Sequence, residues 1–210
     1  MEIIEAKRLA DDNFTSSLSK LIIDGIVVCY PTDTCYAIGT NALNEQSVYN
    51  IFIIKERELS KPLPVIVRDM GVAGRFSILD EKARMLFERF PGISLVLPKR
   101  NIPNIVNQTR IMMRMPDDEN VRLMMRDIPV PMVSTSANSA GDPNPYKMSD
   151  VIHSLGRKLP LIQFALDAGE LKGDKPSTIF DCIEEKVYRE GKHSGKEVME
   201  AYHEFDQSGR

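Results

Sequence analysis

The stretch IVVCYPTDTCYAIG, residues 26–39, combines the pattern of a buried strand with a polar segment directly after it. Its first five residues are apolar or aromatic and lie between Gly25 and Pro31, which predicts a short buried strand. Before it, residues 12–24 carry apolar side chains at helical spacing, and Gly25 is a natural end for that helix. After it, residues 32–34 (Thr, Asp, Thr) place hydroxyls and a carboxylate just beyond the strand. The stretch predicts either a ligand-binding loop or a hydrogen-bonded turn.

Helical and strand patterns alternate through the rest of the chain. Helices are predicted at residues 44–55, 80–90, 119–126 and 149–155, and strands at residues 63–67, 94–97, 111–115, 130–134, 162–166, 177–180 and 186–189. This order predicts an α/β domain in which helices cover a mixed parallel and antiparallel sheet. The polar residues after about 195 fit a tail or a terminal helix. We assign residues 1–195 to the domain and residues 196–210 to a polar C-terminal tail.

Composition indicates a globular protein. The 210 residues correspond to one domain at about 150 residues per domain. Hydrophobic residues make up 42% and charged residues 27%, which argues against a disordered, collagen-like or coiled-coil chain. The net charge is −3, yet residues 55–126 carry 14 Lys and Arg against 9 Asp and Glu. This basic middle fits a local anion site better than a long nucleic-acid surface, although composition alone favours solvated helix faces over either.

Several classes of site are disfavoured by the residues present. Cys29, Cys35 and Cys182 are an odd number of cysteines at unrelated spacings, which predicts free thiols and a reducing, cytoplasmic location. With three histidines in the chain, neither a histidine zinc site nor a Ser-His-Asp triad is predicted, and no metal ligands are assigned. No apolar run approaches the length of a membrane span, and the N-terminus does not have the pattern of a secretory signal.

One segment places cations at a helix end. Lys55, Arg57 and Lys61 fall within seven residues, and their side chains could neutralise phosphates. Glu56 and Glu58 lie between them and weaken the field. Cations also stabilise helix C-termini through the helix dipole, so a purely structural role is the alternative. We expect Lys55 and Arg57 to lie outside the core.

Other polar segments follow predicted strands. Arg114 precedes a Met-Pro pair, and residues 134–141 (STSANSAG) supply hydroxyls, backbone N–H groups and a glycine that could cradle an anion. An ordinary polar loop is the alternative for that run. Glycines and polar side chains also occur around short predicted strands at residues 167–170, 177–181 and 189–191. Each of these segments alone is weak evidence for a site.

Taken in order, these segments resemble the YrdC-like family of threonylcarbamoyl-AMP synthases over about residues 15–192. The family pattern P-T-[DE]-T-x-Y-G-[LI]-G, K-x-R with K-P-L, P-G-P-x-T, R-x-P, S-A-N-x-S-G, D-x-G, S-T-[IV]-x-D and R-x-G is matched by residues 31–39, 55–57 with 61–63, 91–92, 114–116, 136–141, 167–169, 177–181 and 189–191. The chain departs from it at Ala37 and Glu56, where the family has glycine, and in a shortened segment after Gly92. It is similar to the short, single-domain members.

The resemblance implies a fold and a reaction. The fold would be a twisted mixed sheet around one deep basic groove. The enzyme would be a nucleotidyltransferase that condenses L-threonine, bicarbonate or CO2, and ATP into threonylcarbamoyl-AMP and pyrophosphate, with Mg²⁺ on the ATP. A partner enzyme would then transfer the threonylcarbamoyl group to tRNA.

The resemblance also implies roles for individual residues. Lys55 and Arg57 match catalytic positions that contact phosphates. Threonine binding would involve Thr34, Arg114, Ser134 and Ser177. Nucleotide binding would involve Lys55, Arg57, Lys61, Ser136, Asn138 and Arg189.

Two alternative functions remain open from the sequence. A basic groove could bind double-stranded RNA or a nucleotide, and a weak tRNA contact is compatible with the enzyme too. Against an RNA module, basic and aromatic residues do not interleave and tryptophan is absent. The other alternative is a sister-branch protein that catalyses a different step on a carbamoyl adenylate.

Overall fold

A computed structural model describes residues 1–173 and 175–208 of the chain. In this part of the chain a single sheet contains ten strands in the order β1-β8-β2-β3-β7-β4-β6-β5-β9-β10. The strands are β1 Glu2–Glu5, β2 Val28–Tyr30, β3 Ala37–Asn41, β4 Val65–Ile66, β5 Ser94–Pro98, β6 Arg110–Arg114, β7 Met132–Ser136, β8 Phe164–Asp167, β9 Ile179–Asp181 and β10 Lys186–Arg189. The helices are α1 Asp12–Asp24, α2 Glu45–Lys55, α3 Met70–Phe76, α4 Glu81–Arg89, α5 Glu119–Met125, α6 Met148–Leu155 and α7 Gly195–Ser208, with 3-10 helices at Ala6–Ala10 and Gly156–Leu161.

The stretch at residues 26–39 lies in the middle of this sheet. Helix α1 is capped by Asp11, whose side chain accepts two backbone N–H groups, and it ends at Gly25 in the left-handed conformation, as predicted. β2 pairs in parallel with β8 and antiparallel with β3. β3 itself was not predicted, because its Ala-Ile-Gly-Thr-Asn sequence lacks the alternation of a half-buried strand. It is buried along its whole length, so no alternation is required.

The pairing gathers the polar segments at one region of the sheet. β3 and β7 are antiparallel, which sets Ala37 opposite Ser136. β5 and β6 are antiparallel, with Ser94 opposite Arg114. β5 is parallel to β9, with Ser94 also beside Ile179. The predicted mixed sheet is confirmed, and its register brings residues that are distant in sequence close together.

Helices cover both faces of the sheet. Buried apolar side chains form two clusters, and β2 contributes Cys29 to one cluster but Val28 and Tyr30 to the other. Because neighbouring strand residues point to opposite faces, the two clusters lie on opposite sides of the sheet. The larger cluster contains side chains of α2, α4, α6 and α7, and the smaller contains side chains of α1 and α5.

The C-terminal segment differs from the assigned polar tail. Residues from 195 onward form α7, and Val198, Ala201 and Tyr202 on this helix are buried in the larger cluster. The ring of Tyr202 lies 4.9 Å from that of Phe180. The three buried residues recur at helical spacing in an otherwise polar sequence, so a low average hydrophobicity hid an amphipathic helix.

Three further properties concern the residues that the structure describes. The three cysteines are free thiols, with Cys29 and Cys35 buried. Within the described ranges, no helix combines the length and apolar content needed to cross a membrane. The same residues include no cluster of three or more His, Cys, Asp or Glu side chains arranged to hold a metal ion.

Candidate functional site

A cavity of about 480 Å³, here called the main cavity, lies over the middle strands of the sheet. Its polar wall is made of arginines and hydroxyls: Arg57, Arg110, Arg114, Arg189, Thr32, Thr34, Ser94, Ser134, Thr135 and Ser177. Another part of the wall is apolar or aromatic and includes Val96, Met112, Ile179 and Tyr188. The cavity therefore offers one surface for a polar, anionic ligand and another for a flat or apolar group.

The four residues assigned to threonine all line the main cavity. Thr34 follows β2, Ser134 lies on β7, Arg114 ends β6, and Ser177 precedes β9. The hydroxyl of Tyr30 donates to Ser134 Oγ at 2.6 Å. The structure thus brings the four together from separate parts of the chain, while their contact with threonine stays a prediction.

Contacts with Asp33 and Gly92 hold the side chain of Arg114 in place. Its Nη2 lies 2.6 Å from Asp33 Oδ2, and its Nε donates to the carbonyl of Gly92 at 2.8 Å. Both side chains of the ion pair are largely buried. The second carboxylate oxygen, Asp33 Oδ1, is buried with no hydrogen-bond partner among the described residues. Asp33 therefore orients the Arg114 guanidinium. The sequence did not predict this role, although Asp33 lies in the stretch at residues 26–39.

Ser94 was also missed. Its hydroxyl lies 2.8 Å from that of Ser177, and both line the main cavity. The segment after Gly92 is shorter than the family pattern and has no threonine there. Ser94 nevertheless supplies a hydroxyl at this wall, so the shortened segment does not leave the wall apolar.

A second cavity of about 290 Å³, here called the loop cavity, adjoins the main cavity because Arg57 and Thr135 line both. It is lined by Lys55, Glu56, Arg57, Lys61, Thr135, Ser136, Asn138, Ser139, Ala140 and Gly141. The structure thus brings together five of the six residues assigned to the nucleotide. The sixth, Arg189, lies on the main cavity instead.

Lys55 is more deeply placed than the sequence indicated. The expectation that it lies outside the core is wrong, because the residue is only 6% exposed. Its Nζ donates to the backbone carbonyl of Asn138 at 2.5 Å, to Asn138 Oδ1 at 2.6 Å and to the carbonyl of Ser136 at 2.8 Å. Burial lowers the pKa of the Lys55 ammonium to about 8. As the last residue of α2, Lys55 ties that helix to the loop after β7.

Arg57 and Lys61 are more accessible than Lys55, as expected for Arg57. Arg57 is half-buried, and its Nη2 donates to the carbonyl of Pro62 at 2.8 Å. Lys61 is exposed and pairs with Glu58 at 3.2 Å. Both cations border the loop cavity, and an exposed pair such as Lys61–Glu58 exchanges partners at little energetic cost.

Arg189 lies beside Ser177 in the wall of the main cavity. Its Nε and Nη2 donate to the carbonyl of Ser177 at 3.0 and 2.9 Å, and Nη2 also donates to Ser177 Oγ at 3.0 Å. Burial, and next the nearby charge of Arg114, lower the pKa of Arg189. An arginine in a protein remains charged despite such a shift, so Arg189 adds a cation to the wall of the main cavity.

The charge of the main cavity is partly compensated. Arg110 is paired with Asp181 at 3.0 Å and with Glu184 at 2.8 Å, as Arg114 is with Asp33. The cations with only carbonyl and hydroxyl partners among the contacts described above are Arg57 and Arg189. The deep basic groove implied by the resemblance stays a prediction.

The sequence of the chain is similar to known proteins over most of its length. The family model named for Sua5, YciO and YrdC, and described as "Telomere recombination", matches residues 20–191. A relative from Methanocaldococcus jannaschii, named "Putative threonylcarbamoyl-AMP synthase", is 35% identical over 83% of this chain and 84% of its own length. A Bacillus subtilis relative named threonylcarbamoyl-AMP synthase is 29% identical over 83% of this chain, and the chain spans 52% of its length.

Solved structures give the same picture. Pyrococcus abyssi Sua5 in complex with L-threonine is 28% identical and superposes with a TM-score of 0.81 over 95% of this chain and 59% of that protein. Escherichia coli YciO is 22% identical and superposes with a TM-score of 0.74 over 87% of this chain and 91% of that protein, which supports the fold alone. The chain therefore spans about three fifths of the Sua5 protein and most of YciO.

Proposed function

This chain belongs to the Sua5/YciO/YrdC family, and on that premise we propose that it is an L-threonylcarbamoyl-AMP synthase. Its reaction would condense L-threonine, bicarbonate or CO2, and ATP into threonylcarbamoyl-AMP and pyrophosphate. The observation that carries the proposal is the pair of adjoining cavities, which share Arg57 and Thr135. One cavity presents hydroxyls and a fixed arginine, and the other presents cations and oriented backbone groups.

Threonine is assigned to the main cavity. Arg114 would bind its carboxylate through the guanidinium edge that Asp33 and Gly92 leave free, since arginine pairs with carboxylates in this planar manner. Thr34, Ser134 and Ser177 supply hydroxyls around the same space. The complex of P. abyssi Sua5 with L-threonine supports this choice of amino acid.

The phosphates of ATP are assigned to the loop cavity. Arg57 and Lys61 border it and can approach phosphate oxygens. Lys55 adds a third positive charge to the lining, held in place by its contacts with Ser136 and Asn138. The apolar wall of the main cavity suits the adenine base, with Arg189 beside it. Mg²⁺ would be bound mainly by the phosphates and by hydroxyl or amide oxygens, because the lining contains one carboxylate, Glu56, which is paired with Lys158.

The chemistry then needs positioning more than a nucleophilic side chain. The threonine amine captures CO2 as a carbamate and loses a proton, and a carbamate oxygen attacks the α-phosphorus as the bond to pyrophosphate breaks. Arg57, at the boundary of the two cavities, lies where negative charge builds up on the phosphoryl oxygens. Fixed geometry in both cavities would bring the carbamate and the α-phosphate together.

The product is a mixed anhydride that a second enzyme would consume by transferring the threonylcarbamoyl group to tRNA. We propose that this chain acts in the cytoplasm, where tRNA is modified and where its three cysteines stay reduced. A weak contact with tRNA is part of the same proposal.

The deciding experiment measures pyrophosphate release by the full chain with ATP, Mg²⁺, threonine and bicarbonate, omitting one component at a time. We expect release only when threonine and bicarbonate are both present, together with a threonine-dependent AMP adduct in mass spectrometry. Release without threonine would instead indicate a sister-branch activity.

The RNA-binding alternative is tested by titrating ATP and a double-stranded RNA across salt concentrations. We expect ATP to bind in the micromolar to millimolar range and RNA binding to be lost by roughly 0.2 M salt, as for non-specific electrostatic contacts. RNA binding that persists at that salt and is not displaced by ATP would favour the binding module.

A further inference from the structure

Lys158 lies outside the lining of the loop cavity and connects two of the segments that form it. It lies in the 3-10 helix Gly156–Leu161, and its side chain is only 20% exposed. Its Nζ lies 2.8 Å from Glu56 Oε1 and donates to Ser139 Oγ at 2.9 Å. Glu56 separates Lys55 from Arg57 in sequence, and Ser139 follows Asn138. One ammonium group thus bridges the two segments that carry the phosphate-binding groups.

Glu56 has an unusual backbone conformation. Its φ is 48°, in the left-handed region that glycine adopts freely and other residues adopt at a cost. Glycine would satisfy the backbone here, as in the family pattern. The glutamate adds a carboxylate, and the structure uses that carboxylate to hold Lys158. A strained residue whose side chain makes a specific contact is a reason to look for a role.

The Ser139 end of the bridge is fixed by the same region of the chain. The Ser139 backbone N–H donates to Ser154 Oγ at 2.8 Å, and Ser139 Oγ donates to the Ser154 carbonyl at 3.0 Å. Ser154 Oγ in turn donates to Asp142 Oδ2 at 2.6 Å. Helix α6 and the following 3-10 helix therefore anchor the loop after β7, and Lys158 extends this anchor to Glu56.

We propose that Lys158 is a positioning residue for the ATP phosphates, because its bridge from Glu56 to Ser139 sets the spacing between Arg57 and the 136–141 loop. The inference rests on the proposed function, since it assigns ATP phosphates to this cavity. Lys158 does not line the cavity itself, so it acts through the residues that it holds.

The charge of Lys158 provides a second readout. The ionisable groups that act on Lys55 are Cys35, Arg57, Lys158 and Asp142, and of these the two cations lower the pKa of Lys55. Removing the cation of Lys158 should therefore raise the pKa of Lys55. ATP affinity should fall at alkaline pH as the Lys55 ammonium loses its proton. In Lys158→Met this fall should occur at higher pH, which the loss of a purely structural contact would not cause.

The test measures the KM and Kd for ATP in Lys158→Met, Glu56→Gln and Glu56→Gly. We expect each to raise both constants roughly fivefold, the scale of one lost hydrogen bond. For Lys158→Met, at a residue outside both cavity linings, kcat and the threonine KM should change by less than about twofold. The double variant Glu56→Gln/Lys158→Met should be no worse than Lys158→Met alone, because both substitutions act on the same bridge. The control is Lys147→Met, which removes another Lys–Glu pair, with Glu170 at 3.1 Å, outside both cavity linings.

Glu56→Gly shows whether weaker ATP binding could result from a folding defect. It relieves the left-handed strain, so its melting temperature should equal or exceed that of the parent while ATP binding still weakens. Unchanged ATP constants in Lys158→Met, or an equal rise in the threonine KM, would overturn the proposal. If the parent chain makes no adenylate but Lys158→Met still weakens ATP binding, the positioning role stands and the proposed reaction fails.

Discussion

The two cavities are built in different ways. Ser134, Arg114 and Ser94 in the main cavity lie on strands β7, β6 and β5, and the ladder of backbone hydrogen bonds fixes where each side chain lies. The loop cavity is formed by the end of α2, a left-handed Glu56 and the loop after β7. No strand pairing sets the distance between these pieces, so side-chain contacts of Lys55 and Lys158 set it instead.

Because of this difference, different groups support ligand binding and folding in the main cavity, whereas the same groups support both in the loop cavity. A sheet-built wall keeps its shape when one ligand-binding side chain is removed, because the backbone holds the others. In the loop cavity, Lys55 connects the end of α2 to the loop after β7, and under the proposed function the same residue would also supply charge for the phosphates. Substitutions in the two cavities should therefore affect stability and activity in different proportions.

The largest effect is expected for Lys55→Met, which keeps the aliphatic stem and removes the ammonium. Turnover should fall by roughly 10²-fold or more, the scale for losing a positioned charge at a phosphoryl site. Stability should also fall, by about 2–3 kcal/mol, because the oxygens of Asn138 and Ser136 lose their donor in a buried position. Pyrophosphate release and thermal melting measure the two losses. A melting temperature equal to that of the parent would show that Lys55 does not hold the walls of the loop cavity together.

Arg57→Met provides the contrast within the same cavity. Its turnover should also fall by roughly 10²-fold. Its melting temperature should stay within about 2 °C of the parent, since the half-buried guanidinium donates only to exposed backbone carbonyls such as that of Pro62. A melting temperature lowered as far as in Lys55→Met would remove the distinction between the two cations.

Much of the site was readable from the sequence because each segment keeps its own pattern. The hydroxyls of residues 32–34, the cations of residues 55–61 and the serines of residues 134–141 follow recognisable helices or strands, and the structure brings them together. What the sequence could not give is the partner of each group. Asp33 and Arg114 are far apart in the chain, and their ion pair depends on the position of β6 in the sheet.

The misses have related causes. Lys55 was expected at the surface, because a lysine at a helix end is usually solvated, and its burial depends on the loop that folds over it. β3 was missed because burial on both faces removes the alternation that identifies a strand. In α7, three buried residues hold the helix on the core while its other residues are polar.

Asp33→Asn tests the main cavity with a smaller expected effect. The amide is isosteric but neutral, so Arg114 loses the charge that orients its Nη2. We expect the threonine KM to rise roughly tenfold while the ATP KM changes by less than about twofold. Glu184→Gln is the control, because it weakens one of the two carboxylate pairs of Arg110, another arginine of this cavity. An ATP KM that rises with the threonine KM would mean that Arg114 does not act on threonine alone.

The smallest effect concerns pH and separates the two cations of the loop cavity. Burial lowers the pKa of Lys55 to about 8, and the nearby cations Arg57 and Lys158 act in the same direction. The ammonium form exists below that pKa, so its fraction should fall from about nine tenths at pH 7 to about one quarter at pH 8.5. An arginine side chain does not titrate in this range.

ATP affinity should accordingly weaken by roughly fourfold between these two pH values. The measurement is a direct ATP titration, because threonine and bicarbonate themselves change protonation with pH and would affect turnover. Lys55→Met, titrated at the same pH values, corrects for changes in ATP, and the ratio of the two affinities isolates Lys55. A ratio that stays constant from pH 7 to 8.5 would mean that Lys55 remains charged. The hydrogen bonds to Asn138 and Ser136 would then outweigh its burial, and the walls of the loop cavity would be held equally well across this range.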